Sequence, residues 1–212
     1  EVAIAVGDAT YYPGLFENEC IPQVSDRENL VDERTGAILY YFPSNPTSGT
    51  LDTTQRDELL AFAKKHDLWI ISDEVYDRIV FDGPHVSFLG AGYDKVLVVN
   101  SFSKTFAMTG WRMGYILSSH AQAMQQVIKM QYYIAACSND AMQHAILATI
   151  EQASDYPDMV AAEFKQRRDL IVNRLNSMPG VECHKPQGAI YVFPKVTVPG
   201  MNSQDLAMEL LK

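Results

Sequence analysis

Residues 37–76 read AILYYFPSNPTSGTLDTTQRDELLAFAKKHDLWIISDEVY, and this stretch decides the fold. Ala37 to Phe42 is a short, continuous apolar run of the kind that forms a buried strand. It stops at Pro43-Ser44-Asn45-Pro46-Thr47-Ser48-Gly49, where two prolines remove ladder donors and bias the residues before them to extended geometry. The chain must leave the sheet there in a sharp loop. Asp52, with Gln55 three residues on, has the form of a helix start, and Leu59, Leu60, Phe62 and Ala63 recur at helical spacing up to His66. Asp67 to Tyr76 then predicts another strand, running into acidic residues. Strand, helix, strand is a βαβ crossover, so the two strands are parallel and their ends, at Asn45 and Asp73, share one edge of the sheet.

Outward from this unit, a turn at Gly83-Pro84 and a Gly90, Gly92 pair lead to Val96-Leu97-Val98-Val99, a β-branched run that reads as a parallel strand covered on both faces. It delivers Asn100-Ser101-Phe102-Ser103-Lys104 to the same edge. A lysine there is unusual, because burial disfavours the ammonium and turns the side chain into a usable amine nucleophile. Arg112 to Ser118 reads as a further strand, followed by helical patterns across Ala121 to Ala136, Asp140 to Gln152 and Met159 to Met178. On the N-terminal side, Val2 to Val6 is a small apolar strand that opens into a loop carrying Tyr11 and Tyr12, and Asn18 to Glu33 is polar and patternless, suited to a surface connection. The last section changes character: Val181 to Cys183 and Gly188 to Phe193 read as two short strands, and Asn202 to Lys212 as an amphipathic helix. The expected division is a large α/β unit over 1–154, a connecting helix over 155–179 and the start of a smaller α+β unit over 180–212. Because the first residues already read as a strand and the last as an unfinished helix, the chain is expected to be an internal piece of a longer protein.

Bulk composition excludes several classes. With 212 residues, 47% of them apolar, the chain can bury a large core. Its formal charge of −9 and pI near 4.9 argue against a nucleic-acid partner, which needs a clustered basic face. No apolar run approaches a spanning helix, and no signal-peptide pattern opens the chain. Cys20, Cys137 and Cys183 are odd in number and far apart, giving neither a disulfide framework nor a zinc site, and a reducing cytoplasm fits best.

Three strand ends therefore converge: an amide at Asn45, a carboxylate at Asp73 with a phenol at Tyr76, and an amine at Lys104 with Ser101, Ser103 and Arg112 nearby. Singly, each has a structural explanation, Asn45 as an Asx-turn, Asp73 and Glu74 as a capping pair, Tyr76 as core, Arg112 as an ion-pair partner. Jointly they fit one chemistry. A lysine that forms a Schiff base, an acid facing a pyridinium nitrogen, and an arginine with hydroxyls for a phosphate are the groups that pyridoxal phosphate demands.

The segment Ser101 to Gly114, with Lys104, Ala107, Met108, Gly110, Arg112 and Met113, resembles the lysine signature of the class I/II aminotransferases among the fold-type I pyridoxal-phosphate enzymes. Asn45-Pro46-Thr47 is similar to that family's NPTG turn, and Ser72-Asp73-Glu74-Val75-Tyr76 to its S/D-D-E-x-Y element. The resemblance implies a three-layer αβα large domain with a mostly parallel sheet, a homodimer, pyridoxal 5'-phosphate as cofactor, and transfer of an amino group between an L-amino acid and a 2-oxo acid. By matching position, Lys104 would hold the cofactor as a Schiff base and shuttle the substrate proton, Asp73 would keep the pyridine nitrogen protonated, and Asn45 and Tyr76 would bond the ring hydroxyl. Ser101, Ser103 and Arg112 would grip the phosphate. Tyr11 falls where the family stacks an aromatic on the ring, with Tyr12 one residue away. Ser48 stands where the family has glycine, and the resemblance places the phosphate-cupping helix start upstream of residue 1 and the substrate-carboxylate arginine downstream of Lys212. Carbon-sulfur lyases and aminocyclopropane carboxylate synthases are similar in the same core, and bacterial transcription regulators carry a domain like it as an effector sensor, so these remain alternatives.

Overall fold

In the computed structural model, which describes residues 7–23, 25 and 27–212, the unit read from residues 37–76 forms where the sequence places it. Strand β1 is Ala37–Tyr41, helix α1 is Thr53–Lys65 and strand β2 is Trp69–Asp73. The start of α1 is a reciprocal cap: Asp52 Oδ1 accepts from Gln55 N at 2.7 Å, and Gln55 Oε1 accepts from Asp52 N at 2.9 Å. Strand β2 is shorter than the sequence implies, because the chain turns at Glu74, whose carbonyl accepts from Asp77 N at 2.9 Å. The strand expected over Val2 to Val6 lies outside the described residues.

Strand β3, Val96–Ser101, and strand β4, Gly114–Leu117, complete a four-stranded sheet in the order β1, β2, β3, β4. β1, β2 and β3 are parallel, with Tyr41 level with Asp73 and Asp73 level with Val99. β4 runs antiparallel to β3 and starts at Gly114 rather than Arg112. A Cβ at Gly114 would stand 2.7 Å from the Asn100 carbonyl oxygen, so only glycine lets the two strands approach this closely. Between β3 and β4 lies α2, Phe102–Thr105, a single helical turn.

Burial alternates along all three parallel strands. One face, with Ile38, Tyr40, Ile70, Val96 and Val98, packs into a core with Leu59, Leu60, Phe62 and Ala63 of α1. The other face is only partly covered among the described residues, and Leu39 on it is 50% exposed. The polar stretch Asn18 to Glu33 is also more than a surface connection. Ile21, Pro22 and Arg27 in it are buried, and the Arg27 guanidinium lies over the rings of Tyr12 and Tyr40, donating to the Pro22 carbonyl at 2.9 Å.

Helices α3, Ala121–Ala135, α4, Asp140–Gln152, and α5, Tyr156–Asn176, follow. Strand β5, Val181–Glu182, pairs antiparallel with β6, Lys195–Val196, and α6 is Ser203–Leu210, capped by Asn202. Gly188 to Phe193 does not form the expected strand. Gly188 makes one bridge to Val80, Ala189 takes a φ of 54°, and the segment lies down on the sheet edge instead. Among the described residues, no helix is long and apolar enough to cross a membrane.

Candidate active site

The parallel register sets the ends of β1, β2 and β3 level, and their continuations supply Asn45, Asp73 and Lys104. Ligands in open α/β sheets settle at this edge. Ser101 Oγ caps α2 by accepting from Ser103 N at 3.3 Å, and buried Asn100 braces the turn by accepting from Ser101 N at 2.7 Å. Lys104 lies on that turn, half-buried, with Nζ 5.7 Å from the centre of the Tyr76 ring. Among the described residues, Nζ makes no ion pair or hydrogen bond to an acceptor.

Tyr76 follows β2 and is 1% exposed, with Ile79 and Ala189 in its apolar cluster and Tyr41, Val75 and Tyr191 against it. Its hydroxyl is hydrogen-bonded to that of Tyr191. Burial first, and the bond with Tyr191 second, push the Tyr76 phenol far above its ordinary pKa. The Tyr41 hydroxyl lies within hydrogen-bonding reach of the Asn45 and Tyr76 side chains, and burial together with the nearby charge of Asp73 pushes it up as well.

The two adjacent acids separate in role. Asp73 is half-buried at the strand end, its Oδ1 accepting from Val75 N at 3.2 Å. Glu74 is 3% exposed and accepts from Ser72 Oγ at 2.9 Å and Phe88 N at 3.1 Å, with His85 Nε2 at 2.7 Å. Burial opposes ionisation of Glu74, but the bonds from His85, Ser87 and Phe88 outweigh it and hold the carboxyl below its ordinary pKa. Glu74 is a structural bracket beneath the edge.

Arg112 is exposed, in a left-handed conformation at φ 57°, and Nη1 donates to the Thr109 carbonyl at 2.6 Å. That bond points the side chain along its own loop and leaves part of the guanidinium fork to solvent. Tyr11 is 85% exposed and makes no hydrogen bond or ring contact among the described residues. Tyr12, by contrast, is taken up by Arg27 over its ring at 4.9 Å, and its hydroxyl lies 3.5 Å from the Leu39 carbonyl. Lys104, Tyr76, Tyr41, Asn45 and Asp73 are thus gathered at one edge, whereas no contact among the described residues joins Tyr11 or Arg112 to Lys104.

Sequence reasoning missed Tyr41, Ser48 and Tyr191. Ser48 is fully buried at a φ of 59°, a left-handed conformation that costs a side-chain-bearing residue about 1–3 kcal/mol. Its hydroxyl donates to the Tyr191 carbonyl at 2.9 Å and accepts from Tyr191 N at 3.1 Å. The only sequence signal was Ser48 itself, a serine at a glycine position.

The site combines a primary amine, a carboxylate, phenols and an amide, with hydroxyls and a guanidinium on the following turn. This set can attach a carbonyl compound, balance a cationic ring nitrogen and take up an anionic group. A family model described as aminotransferase class I and II matches residues 3–212. The chain is 34% identical over 216 residues to an aromatic-amino-acid aminotransferase 2 of Thermococcus litoralis, covering 100% of this chain and 55% of the relative. It is 34% identical over 215 residues to an aspartate aminotransferase of Pyrococcus abyssi, covering 99% and 55%. A crystal structure of aromatic aminotransferase from Pyrococcus horikoshii OT3 superposes with a TM-score of 0.91 at 33% identity, covering 97% of this chain and 56% of that one. The chain spans about half the length of the curated relatives it matches.

Proposed function

The chain belongs to the class I and II aminotransferase family, and from that premise we propose that the protein it represents is a pyridoxal 5'-phosphate-dependent aminotransferase acting between an L-amino acid and a 2-oxo acid. The observation that carries the reading is Lys104 Nζ, unengaged by any acceptor among the described residues and lying 5.7 Å over the Tyr76 ring, at the edge that also bears Asp73 and Asn45. The donor set fits the cofactor: one amine, one carboxylate at a strand end, two phenols and an amide within reach of one another, and hydroxyls with a guanidinium beyond α2.

When bound, pyridoxal 5'-phosphate supplies a carbonyl that takes up amino groups and an aromatic ring that accepts an electron pair. Lys104 Nζ would be the amine that holds it covalently, and as a free amine it would serve as the base that moves the substrate α-proton. The Asp73 carboxylate would hold the proton on the pyridine nitrogen through a charge-assisted bond. Tyr76 and Asn45 would donate to the ring hydroxyl. Ser101, Ser103 and Arg112 would bind phosphate oxygens, the guanidinium offering a planar pair of donors. Tyr11, exposed on its loop, would cover the ring face. The proposal includes the division into a cofactor-binding unit over 1–154, a connecting helix over 155–179 and a smaller unit from 180. It also includes a cytoplasmic homodimer, for which Ile128, Tyr132, Tyr133 and Ile134 of α3, 64–74% exposed, offer an apolar surface for a second copy.

The test is a half-reaction on the intact protein loaded with cofactor. An L-amino acid alone should bleach the visible absorbance stoichiometrically, and a 2-oxo acid should restore it. Release of ammonia at every turnover without such a cycle would assign a lyase instead.

A further inference from the structure

The Gln187–Tyr191 segment is stitched to the sheet edge more firmly than a connection needs. Phe81 N donates to the Gln187 carbonyl at 2.9 Å, Ala189 N to the Ile79 carbonyl at 2.9 Å, and Gly188 N to the Ser48 carbonyl at 3.3 Å. A Cβ at Gly188 would meet Thr50 Cγ2 at 2.9 Å and both Ile79 O and Pro43 Cβ at 3.0 Å, so glycine is required for the docking. Ser48 completes it from the turn after β1. At φ 59° a glycine would be at ease, yet the residue is a serine whose hydroxyl is spent wholly on the Tyr191 backbone, as donor to O and acceptor from N. What the clamp fixes is the Tyr191 ring, edge-on to Tyr76 at 81° with centroids 5.7 Å apart and the two hydroxyls hydrogen-bonded.

We propose that Tyr191 is a positioning residue that acts through Tyr76, and that Ser48 is the clamp that holds it there. A phenol has one proton and two acceptor lone pairs. If Tyr76 gives its proton to a ligand oxygen, its own oxygen needs a donor, and the Tyr191 hydroxyl is in place to be that donor. Donation into Tyr76 strengthens the bond Tyr76 makes outward, because hydrogen bonds in a chain polarise one another. The groups that meet Tyr76 are Tyr41 from β1, Lys104 Nζ from α2 and Tyr191 from the C-terminal part of the chain. The inference rests on the reading of Tyr76 as the phenol that meets the cofactor.

The experiment follows the pH midpoint of cofactor absorbance in the loaded protein. A weaker bond to the ring oxygen leaves more negative charge there to retain the neighbouring proton, so Tyr76→Phe should raise the midpoint. Tyr191→Phe should raise it in the same direction by a smaller amount, about 0.5 to 1 in pH, which is what one neutral hydrogen bond can supply. The Tyr191→Phe effect should vanish when Tyr76 is already Phe, since coupled residues are not additive. Ser48→Gly, which suits the backbone at that position and so preserves folding, should reproduce part of the Tyr191→Phe shift. If Tyr76→Phe leaves the midpoint unchanged, the parent reading of Tyr76 fails. If Tyr76→Phe moves it while Tyr191→Phe and Ser48→Gly do not, or if Tyr191→Phe adds its full shift to Tyr76→Phe, the positioning role is overturned.

Discussion

At the residue scale, the acidic pair Asp73 and Glu74 shows how neighbours of one chemical type are sorted by direction. Successive side chains along a strand point to opposite faces. Glu74 turns into the core, where Ser72, His85 and Phe88 N satisfy it, while Asp73 stays half-buried at the edge with Tyr41 beside it. Only the second is placed to serve a ligand. Asp73→Asn keeps the shape and an oxygen for Val75 N but removes the charge, so kcat should fall roughly 10²–10³-fold, the scale of losing one preorganised electrostatic contact. Thermal unfolding of the same variant should be nearly unchanged, and a loss of stability in parallel with kcat would assign Asp73 to the fold instead. That Lys104, Asp73, Tyr76 and Asn45 share one sheet edge was readable because they lie in short motifs at the ends of strands that the βαβ pattern makes parallel. Tyr191 was not, because its partner Tyr76 is 115 residues away and no local pattern links them.

At the element scale, helix α1 was the most legible part of the chain. Its cap and its apolar spacing are both local, and Asp52, Gln55, Leu59, Leu60, Phe62 and Ala63 behave as their positions imply. Asp52→Ala should cost about 1 kcal/mol through the lost cap and lower Tm by about 2–4 °C, with kcat little changed; differential scanning calorimetry reads this directly. Leu59→Ala, which empties a 2% exposed site, should cost about 2–5 kcal/mol. Gly188 to Phe193 was misread for an instructive reason. A run with Ile190, Val192 and Phe193 has strand propensity, but what decides its conformation is the docking of Gly188 against Pro43, Thr50 and Ile79 and the Ser48 clamp on Tyr191. Those contacts are long-range, and tertiary context overrides β-propensity.

At the scale of the whole molecule, two ion-pair brackets, one local and one joining Asp82 to α5, shape its response to acid. Glu74 is held below 4.5 by His85, and Asp82 is held at about 2 against an ordinary 3.8 by the Lys165 and Arg168 side chains of α5, with Arg168 Nη1 at 2.7 Å from Asp82 Oδ2. Both carboxyls bind protons less readily folded than unfolded. Their stabilisation is therefore complete above the unfolded values and is lost as pH falls through the folded ones. The urea midpoint should stay level from pH 7 to about 5 and decline between about pH 5 and 2. Glu74→Gln should flatten the upper part of that decline. The family-wide architecture, with parallel strands delivering side chains to one edge, was readable from the βαβ pattern, while the seating of the C-terminal segment on that edge was not. The central claim, that Lys104 is the residue at this edge that takes the cofactor, is met most directly by covalent trapping. The intact protein is incubated with pyridoxal 5'-phosphate, reduced with borohydride, digested and mapped by mass spectrometry. The expected result is a single phosphopyridoxyl adduct on the peptide carrying Lys104, absent in Lys104→Ala; a stoichiometric adduct on another lysine, or its persistence in Lys104→Ala, would contradict it.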